Sequence, residues 1–196
     1  MIDLYDFVSA LNIASRPGDI INQSASGMAS NVILQTWKVK EGQRFVNNFV
    51  LGEMGAGLPY SIGATLATGR RVIHIEGDGG FQLNIQELET IRRLDLPVIM
   101  FIINNNGYHS IRQSQMKNFG RLTGADDTSG LTLPSLEKIA AAYEINYSSV
   151  VDFTYSVSSM VNNCPKPYLI EVFINPDQQY RHRIVRKFEN GEWVNK

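Results

Sequence analysis

The sequence predicts an α/β domain built on a doubly wound, mostly parallel β-sheet with helices on both faces. Short runs of apolar and β-branched residues read as strands, and several are apolar enough to be buried on both sides. These runs are DIIN (19–22), RVIHIE (71–76), PVIMFII (97–103), YSSVV (147–151) and YLIEVFI (168–174). Helical patterns lie between them, and strands that alternate with helices favour a parallel sheet covered on both faces.

Three helices are predicted from the spacing of their apolar residues. Asp3 is expected to cap a first helix that buries Phe7, Val8 and Leu11. A second helix, beginning near Phe81, carries one apolar stripe: Phe81, Ile85, Leu88 and Ile91. A third, with Pro134 in its first turn, carries another: Leu133, Leu136, Ile139, Ala140 and Tyr143. A further helix is expected after LGEMGAGLP (51–59).

The composition fits a single domain over residues 1–196, with 43% hydrophobic and 19% charged residues. A formal net charge of -1 gives no basic field for nucleic acid. The longest apolar run, PVIMFII, is far too short to span a membrane. Cys164 is the only cysteine, which excludes an internal disulfide and fits a reducing compartment. The first residues lack the basic flank and apolar run of a secretion signal. We therefore expect a cytoplasmic domain without nucleic-acid or membrane partners.

Glycine-rich or polar turns follow three of the predicted strands. NQSASGM (22–28) follows the first, GDGG (77–80) the second and NNNGY (104–108) the third. Parallel sheets bind ligands at the carboxyl ends of their strands. The sequence therefore predicts a binding site along this edge.

The GDGG turn does not fit the common nucleotide motifs. Gly77 and Gly79 match the first two positions of G-x-G-x-x-G, but Gln82 occupies the third. Asp78 would also bring a carboxylate against a pyrophosphate. A divalent cation removes this conflict, because it binds the carboxylate and neutralises diphosphate oxygens together. The backbone amides of Gly79 and Gly80 can then approach those oxygens.

The spacing to the asparagine cluster supports such a cation site. Asp78 and Asn105 are 27 positions apart, which accommodates one helix, a return turn and one strand. A right-handed crossover places the two strand ends side by side. A G-D-G turn or an asparagine-rich loop is ordinary when it occurs alone, but their order here predicts a Mg²⁺ site. Its ligands are Asp78, Asn105 and the carbonyl of Gly107.

These residues carry a resemblance to a known family. Gly77-Asp78-Gly79 followed by Asn104-Asn105 resembles the signature of thiamine diphosphate-dependent enzymes. GGFQLNIQELETIRRLDLPV (79–98) and LGEMGAGLPYSIGATLA (51–67) are similar to the acetolactate synthase branch. The resemblance implies the thiamine diphosphate-binding fold, with thiamine diphosphate and Mg²⁺ as cofactors.

The resemblance also implies roles for individual residues. Segments 24–26 and 77–80 would contact the cofactor, chiefly its diphosphate, through Ser24, Ala25, Ser26, Gly77, Asp78, Gly79 and Gly80. The Gly52 carbonyl would accept a hydrogen bond from the 4′-amino group, and Met54 would support the bend between the rings. Tyr108, Ile111 and Ser114 follow the metal turn, where they either face the substrate or pack in a helix. No histidine is assigned a catalytic role, and His109 is expected to be exposed.

The chain departs from the family in several respects. It resembles only the last of three domains, so we expect the pyrimidine-binding and middle domains to be absent from this chain. The essential family glutamate belongs to the first domain, and Glu53, Glu76 and Glu87 lie in other motifs. We therefore expect no catalytic residue in this chain, and a pyrimidine-binding domain or subunit as its partner in a homo- or hetero-oligomer. Glu53 stands where the family usually has serine. Ser114 stands where acetolactate synthases typically have the tryptophan that helps to select the second 2-oxo acid, the acceptor.

The resulting interpretation is the cofactor-binding domain of a 2-oxo acid decarboxylase or carboligase, a lyase or transferase that is inactive without the missing glutamate. Two alternatives remain. The chain could be the β-like subunit of a split decarboxylase of the sulfopyruvate or phosphonopyruvate type. It could also be a module that binds the cofactor without turning over a substrate. A ferredoxin-type redox enzyme lacks support, since there is no cysteine cluster.

Overall fold

The described part of the protein contains one six-stranded sheet and a separate pair of antiparallel strands. The structure, a computed structural model, describes residues 1–23, 26–48, 50–152, 157–181, 186–189 and 192–195. The strands are β1 (Ile20–Gln23), β2 (Arg44–Val46), β3 (Val72–Gly77), β4 (Val98–Asn104), β5 (Asn146–Val150), β6 (Tyr168–Phe173), β7 (Arg186–Glu189) and β8 (Glu192–Asn195). The helices are α1 (Leu4–Ala14), α2 (Gly27–Thr36), α3 (Gly57–Thr68), α4 (Asp78–Phe81), α5 (Glu87–Arg93), α6 (His109–Phe119), α7 (Leu136–Ala142) and α8 (Val157–Asn163).

All neighbouring strands of the large sheet run parallel, in the order β2-β1-β3-β4-β6-β5. The predicted fold class is therefore confirmed, and each predicted strand is present with ends that differ by at most one residue. Sequence reasoning missed β2, a three-residue edge strand that is only partly buried. The polar tail contributes the antiparallel pair β7 and β8.

Two apolar layers cover the sheet, one on each face. The layer on one face combines α1, α2 and α8 with alternate strand residues such as Ile73 and Phe101. Phe7 of α1 meets the Phe101 ring edge to face at 5.6 Å. The opposite layer combines α3, α5 and α7 with the intervening strand residues, including Val72 and Met100. Because successive side chains of a strand alternate between faces and both faces are covered, the central strand β4 is apolar from Val98 to Ile103.

The predicted cap of the first helix is confirmed. The Asp3 carboxylate accepts hydrogen bonds from the backbone N–H groups of Tyr5 and Asp6. The three apolar residues expected on the buried side of α1 are fully buried. The helix predicted after LGEMGAGLP is also present as α3.

The prediction of one helix beginning near Phe81 was wrong. Helix α4 begins at Asp78, directly after β3, and a 3₁₀ turn at Gln82–Asn84 separates it from α5. The Asn84 side chain donates to the Gly55 carbonyl at 2.8 Å, which ties the interruption to the loop before α3. The predicted stripe still packs in one cluster, because Phe81, Leu88 and Ile91 are buried and Ile85 lies against them.

The start predicted for α7 was also wrong. Leu133 and Pro134 precede the helix, which begins at Leu136. The reason is the Ser135 side chain, which accepts from the Lys138 N–H and so caps the first turn. Tyr143 lies just past the last helical residue.

Candidate functional site

Asp78 lies where β3 passes directly into α4, and its carboxylate is 3% exposed. Three backbone N–H groups donate to it. Gly79 donates to Oδ1 at 2.8 Å, while Asn105 and Gly107 donate to Oδ2 at 3.2 and 3.0 Å. The carboxylate therefore joins the end of β3 to the turn after β4, as the 27-residue spacing predicted.

Burial controls the charge of this carboxylate. It raises the pKa of Asp78 from its ordinary 3.8 to about 6. The three N–H donors and the positive charge of Arg112 act in the opposite direction and limit the rise. Asp78 is thus ionised at neutral pH but insufficiently compensated, which favours a cation beside it.

Asn105 offers a second oxygen ligand at the same place. Its side chain is 6% exposed, and Oδ1 has no hydrogen-bond partner among the described residues. A buried amide oxygen without a donor is rare in proteins and marks a place where a cation or a water molecule can bind. The residues present therefore fit a hard divalent cation, which prefers carboxylate and amide oxygens.

Gly107 adopts a backbone conformation that other residues avoid. Its φ is +117°, and a Cβ there would lie 2.5 Å from the Ala125 carbonyl oxygen. Its own carbonyl accepts from the His109 N–H at 3.2 Å. A carbonyl oxygen has two lone pairs, so this hydrogen bond leaves capacity for a further partner.

The Asn104 side chain is bonded to a different carboxylate, that of Glu171. Its amide nitrogen donates to Glu171 Oε1 at 2.6 Å, and Tyr147 donates to Glu171 Oε2 at 2.5 Å. Asn104 Oδ1 accepts from the Asn106 N–H at 3.0 Å, so the side chain also shapes the turn. The described residues contain no group of three or more His, Cys, Asp or Glu side chains that could share a metal. An oxygen site with one carboxylate is consistent with that finding.

A cleft of about 210 Å³ lies next to the turn that contains Asp78. Asp78 itself does not line this cleft; it lines a neighbouring cavity, and Gly107 borders both. Most of the predicted site residues line the cleft, namely Ser26, Gly52, Met54, Gly77, Gly79, Gly80, Asn105, Gly107, Tyr108 and Ile111. The N-terminus of α2 lies in the same wall, and its cap residue Ser26 makes no side-chain capping bond. Ser24 and Ala25 lie outside the described residues. Ser114 does not line the cleft, and its hydroxyl accepts from Asn118 at 3.3 Å.

Two glycines in this wall are required by close packing. A Cβ on Gly79 would lie 2.2 Å from the Tyr108 ring, and one on Gly80 would lie 2.9 Å from Glu76 Oε1. The glycines therefore allow Tyr108 and Glu76 to pack directly against the main chain of α4, beside the cleft.

Residues 50–54 carry exposed apolar side chains beside the cleft. Val50 is 92% exposed, Leu51 76% and Met54 36%. Glu53 does not line the cleft, and its carboxylate accepts from the Tyr60 hydroxyl. That hydrogen bond lowers the pKa of Glu53 and raises the pKa of Tyr60. The Glu53 carboxylate is therefore bound to α3 through Tyr60, and neither residue lines the cleft.

The expectation that His109 is exposed was wrong. The ring is 3% exposed, and Nε2 lies 2.8 Å from the Gln178 carbonyl, which fixes the proton on Nε2. Burial lowers the pKa of His109, so the ring is neutral at pH 7. Residues 175–180, which cover the ring, follow β6, and helical periodicity alone could not place them there. His74 lies within β3 as predicted, and His182 lies outside the described residues.

Sequence reasoning missed two buried charged residues of the site. Glu76 Oε1 accepts from the Gly55 N–H at 3.2 Å, which ties the Met54 loop to β3. Arg112 donates to backbone carbonyls of the turn after β4. The only available signal for Glu76 was a charged residue inside an otherwise apolar strand. Arg112 gave none, because an arginine on a polar helix is ordinarily exposed.

The fold and the site together define a parallel-sheet domain with a glycine-rich cleft and a buried carboxylate at the carboxyl ends of its strands. Residues 25–172 match the model of the thiamine pyrophosphate enzyme family's C-terminal TPP binding domain. The chain belongs to this family, so the predicted resemblance is confirmed.

Individual relatives agree with this assignment. The chain is 33% identical over 144 residues to a probable acetolactate synthase large subunit of Methanococcus aeolicus, covering 71% of this chain and 24% of that protein. It is 34% identical over 164 residues to the acetolactate synthase large subunit of Porphyra purpurea, covering 82% and 27%. The chain thus spans about a quarter of the length of these curated relatives.

Solved structures show the same fold. The thiamine diphosphate-dependent 4-hydroxybenzoylformate decarboxylase of Rhodococcus jostii RHA1 superposes with a TM-score of 0.74 at 25% identity, over 91% of this chain and 33% of that one. In the part of the chain that the structure describes, no helix is both long and apolar enough to cross a membrane.

Proposed function

We propose that this chain forms the diphosphate- and Mg²⁺-binding half of the active site of a thiamine diphosphate-dependent 2-oxo acid decarboxylase or carboligase. The observation that carries the proposal is the meeting of Asp78 and Asn105 at adjoining strand ends, with Asn105 Oδ1 buried and without a donor. Similarity to acetolactate synthases favours that branch over other members of the family.

The cation would be held by Asp78, Asn105 Oδ1 and the Gly107 carbonyl. Mg²⁺ shares its oxygen ligands with substrate phosphates, so few protein ligands are needed. Gly79 and Gly80 would place the main chain of α4 next to the diphosphate, and the N-terminus of α2 would line the same cleft. Ser24 and Ala25 would extend that wall.

The remaining cleft residues would orient the organic part of the cofactor. Gly52 would accept from the pyrimidine amino group, and Met54 would support the bend between the rings. Tyr108 and Ile111 would border the substrate. When bound, thiamine diphosphate supplies the nucleophilic carbon at which 2-oxo acids lose CO₂, and the protein supplies binding, orientation and electrostatics.

We infer that the chain needs a pyrimidine-binding domain, from another polypeptide or another part of a longer one, to turn over substrate. The family's catalytic glutamate has no counterpart in the motifs of this chain, and none of the residues lining the cleft is a glutamate. The exposed Val50 and Leu51 beside Met54 support this inference, because apolar residues at a cleft mouth commonly mark an interface. The complete enzyme would then be a homo- or hetero-oligomer acting on a small 2-oxo acid.

Calorimetric titration of the chain with thiamine diphosphate and Mg²⁺ tests the proposal, with thiamine monophosphate as the competing ligand. We expect Mg²⁺-dependent binding that is selective for the diphosphate and is lost in Asp78→Ala. Asp95→Asn is a matched control, since Asp95 is an exposed acid at the opposite end of the sheet. Unchanged affinity in a folded Asp78→Ala protein would refute the metal assignment.

Coexpression with a candidate pyrimidine-domain subunit separates the alternatives. Activity that appears only with a separate subunit would favour a split decarboxylase of the sulfopyruvate or phosphonopyruvate type. Mg²⁺-dependent binding without turnover in any pairing would favour a module that only binds the cofactor. Turnover of a 2-oxo acid by the isolated chain would contradict the requirement for another domain.

A further inference from the structure

Arg112 is a buried cation whose hydrogen bonds all go to main-chain carbonyls. Its side chain, on the first turn of α6, belongs to a residue only 8% exposed. Nη1 donates to the Asn106 carbonyl at 2.9 Å, and Nη2 donates to the carbonyls of Asn105 and Pro176 at 2.8 and 3.0 Å. Because this buried guanidinium donates to main-chain carbonyls, its hydrogen bonds fix the conformation of the backbone around it.

The carbonyls of Asn105 and Asn106 belong to two consecutive peptide groups. In a trans peptide the C=O and N–H point in opposite directions. The peptide that joins Asn106 to Gly107 is therefore held on both sides, by Arg112 at its oxygen and by Asp78 Oδ2 at its N–H, 3.0 Å away. The preceding peptide is held in the same way, by Arg112 and by Asn104 Oδ1 at 3.0 Å.

This double hold explains the strained shape of the turn. Asn106 has a φ of +59°, and Gly107 has one of +117°. Such conformations persist only when the surroundings enforce them. The backbone N–H and C=O of Asn105 both have partners, in Asp78 and Arg112, while its buried Oδ1 has none among the described residues.

We propose that Arg112 is the positioning residue of the metal turn, defined as residues 104–107. Its guanidinium orients the two peptide groups so that Asn105 Oδ1 stays beside Asp78 as a free ligand, and it thereby sets the affinity for the divalent cation. The inference rests on the proposed function only for the identity of that cation. The bond to Pro176 extends the same hold to the segment after β6.

The chemistry of arginine suits this task. A planar fork reaches three carbonyls in fixed directions, whereas the lysine ammonium is a point charge on a flexible stem. A charged donor on a carbonyl also strengthens the N–H of the same peptide as a donor. Arg112→Lys should therefore retain part of the hold, and Arg112→Met should lose it.

The test uses the full chain with two readouts and a control. Amide hydrogen exchange of Asn106 and Gly107 is measured without ligand, and Mn²⁺ binding is measured by electron paramagnetic resonance with thiamine diphosphate present. Arg112→Met should exchange these two amides at least about tenfold faster than wild type. Its Mn²⁺ affinity should fall about 10- to 100-fold, the usual loss when a group that orients a ligand is removed. Arg112→Lys should lie between, and Arg93→Met, at an exposed arginine, should match wild type.

A purely structural role would give a different pattern. Faster exchange spread evenly over the sheet, with Mn²⁺ affinity within twofold of wild type, would overturn the proposal. If Arg112→Met does not fold, the same comparison is made with Arg112→Lys. Failure of the wild-type chain to bind Mn²⁺ would count against the proposed function, and the exchange of Asn106 and Gly107 would then decide the positioning role alone. Unchanged exchange of both amides would overturn it.

Discussion

Replacing Asp78 with asparagine should stabilise the metal-free protein at neutral pH. The side chain is nearly isosteric, but it carries no charge into the buried site. Burial raises the pKa of Asp78 to about 6 from an ordinary 3.8, so the folded chain retains this proton at pH values where the unfolded chain has lost it. The free energy of unfolding of the wild type therefore falls as pH rises from about 4 to about 6, and this loss persists above pH 6.

The size of the effect follows from the same values. The difference between about 6 and 3.8 corresponds to about 3 kcal/mol, since one pKa unit is about 1.36 kcal/mol. The asparagine amide introduces an N–H that faces backbone donors, which costs about 1 kcal/mol. Asp78→Asn should thus raise the free energy of unfolding by about 2 kcal/mol at pH 7.5, and by close to zero at pH 4.5.

Urea unfolding with a chelator present measures this difference at the two pH values. The wild type and Asp95→Asn are unfolded in parallel, so that a general effect of removing a carboxylate is subtracted. A destabilised Asp78→Asn protein at pH 7.5 would refute the reasoning, because it would mean that the three N–H donors outweigh the cost of burying the charge. A gain of equal size at both pH values would also refute it.

Three further changes test the packing around the site. Gly79→Ala should lower the free energy of unfolding by about 1–3 kcal/mol, since its Cβ meets a tyrosine ring. Gly63 lies on the exposed face of α3, and a Cβ there would meet no atom within 4 Å. Gly63→Ala should therefore raise the free energy of unfolding by about 0.5–1 kcal/mol. Thermal unfolding measures both glycine variants. Tyr147→Phe leaves a buried oxygen of Glu171 without its donor and should cost about 1–3 kcal/mol by urea unfolding. The His109 ring should titrate below its ordinary 6.5 by NMR, because burial lowers its pKa. The stability that depends on neutral His109 is complete above pH 6.5 and is lost as the pH falls below that value. A measured His109 pKa at or above 6.5 would contradict the burial of the ring.

Much of the fold could be predicted from local patterns. Strand order along the chain and the parallel sheet follow from apolar runs that alternate with helical periodicities. The helix boundaries were predicted wrongly where a single polar contact overrides the periodicity of the apolar residues. Ser135 moves the start of α7 past Pro134, and the bond between Asn84 and Gly55 accompanies the break between α4 and α5.

The candidate site divides in the same way. The residue types and the 27-residue spacing predicted that Asp78 and Asn105 would meet at the carboxyl ends of β3 and β4, because a crossover returns the chain beside the strand that it left. Only the tertiary structure decided that Asn105 presents a free oxygen while Asn104 turns to Glu171. It also decided that Arg112 is buried. The contacts responsible join residues up to 67 positions apart, and the direction in which a side chain leaves a turn depends on such partners rather than on its neighbours in sequence.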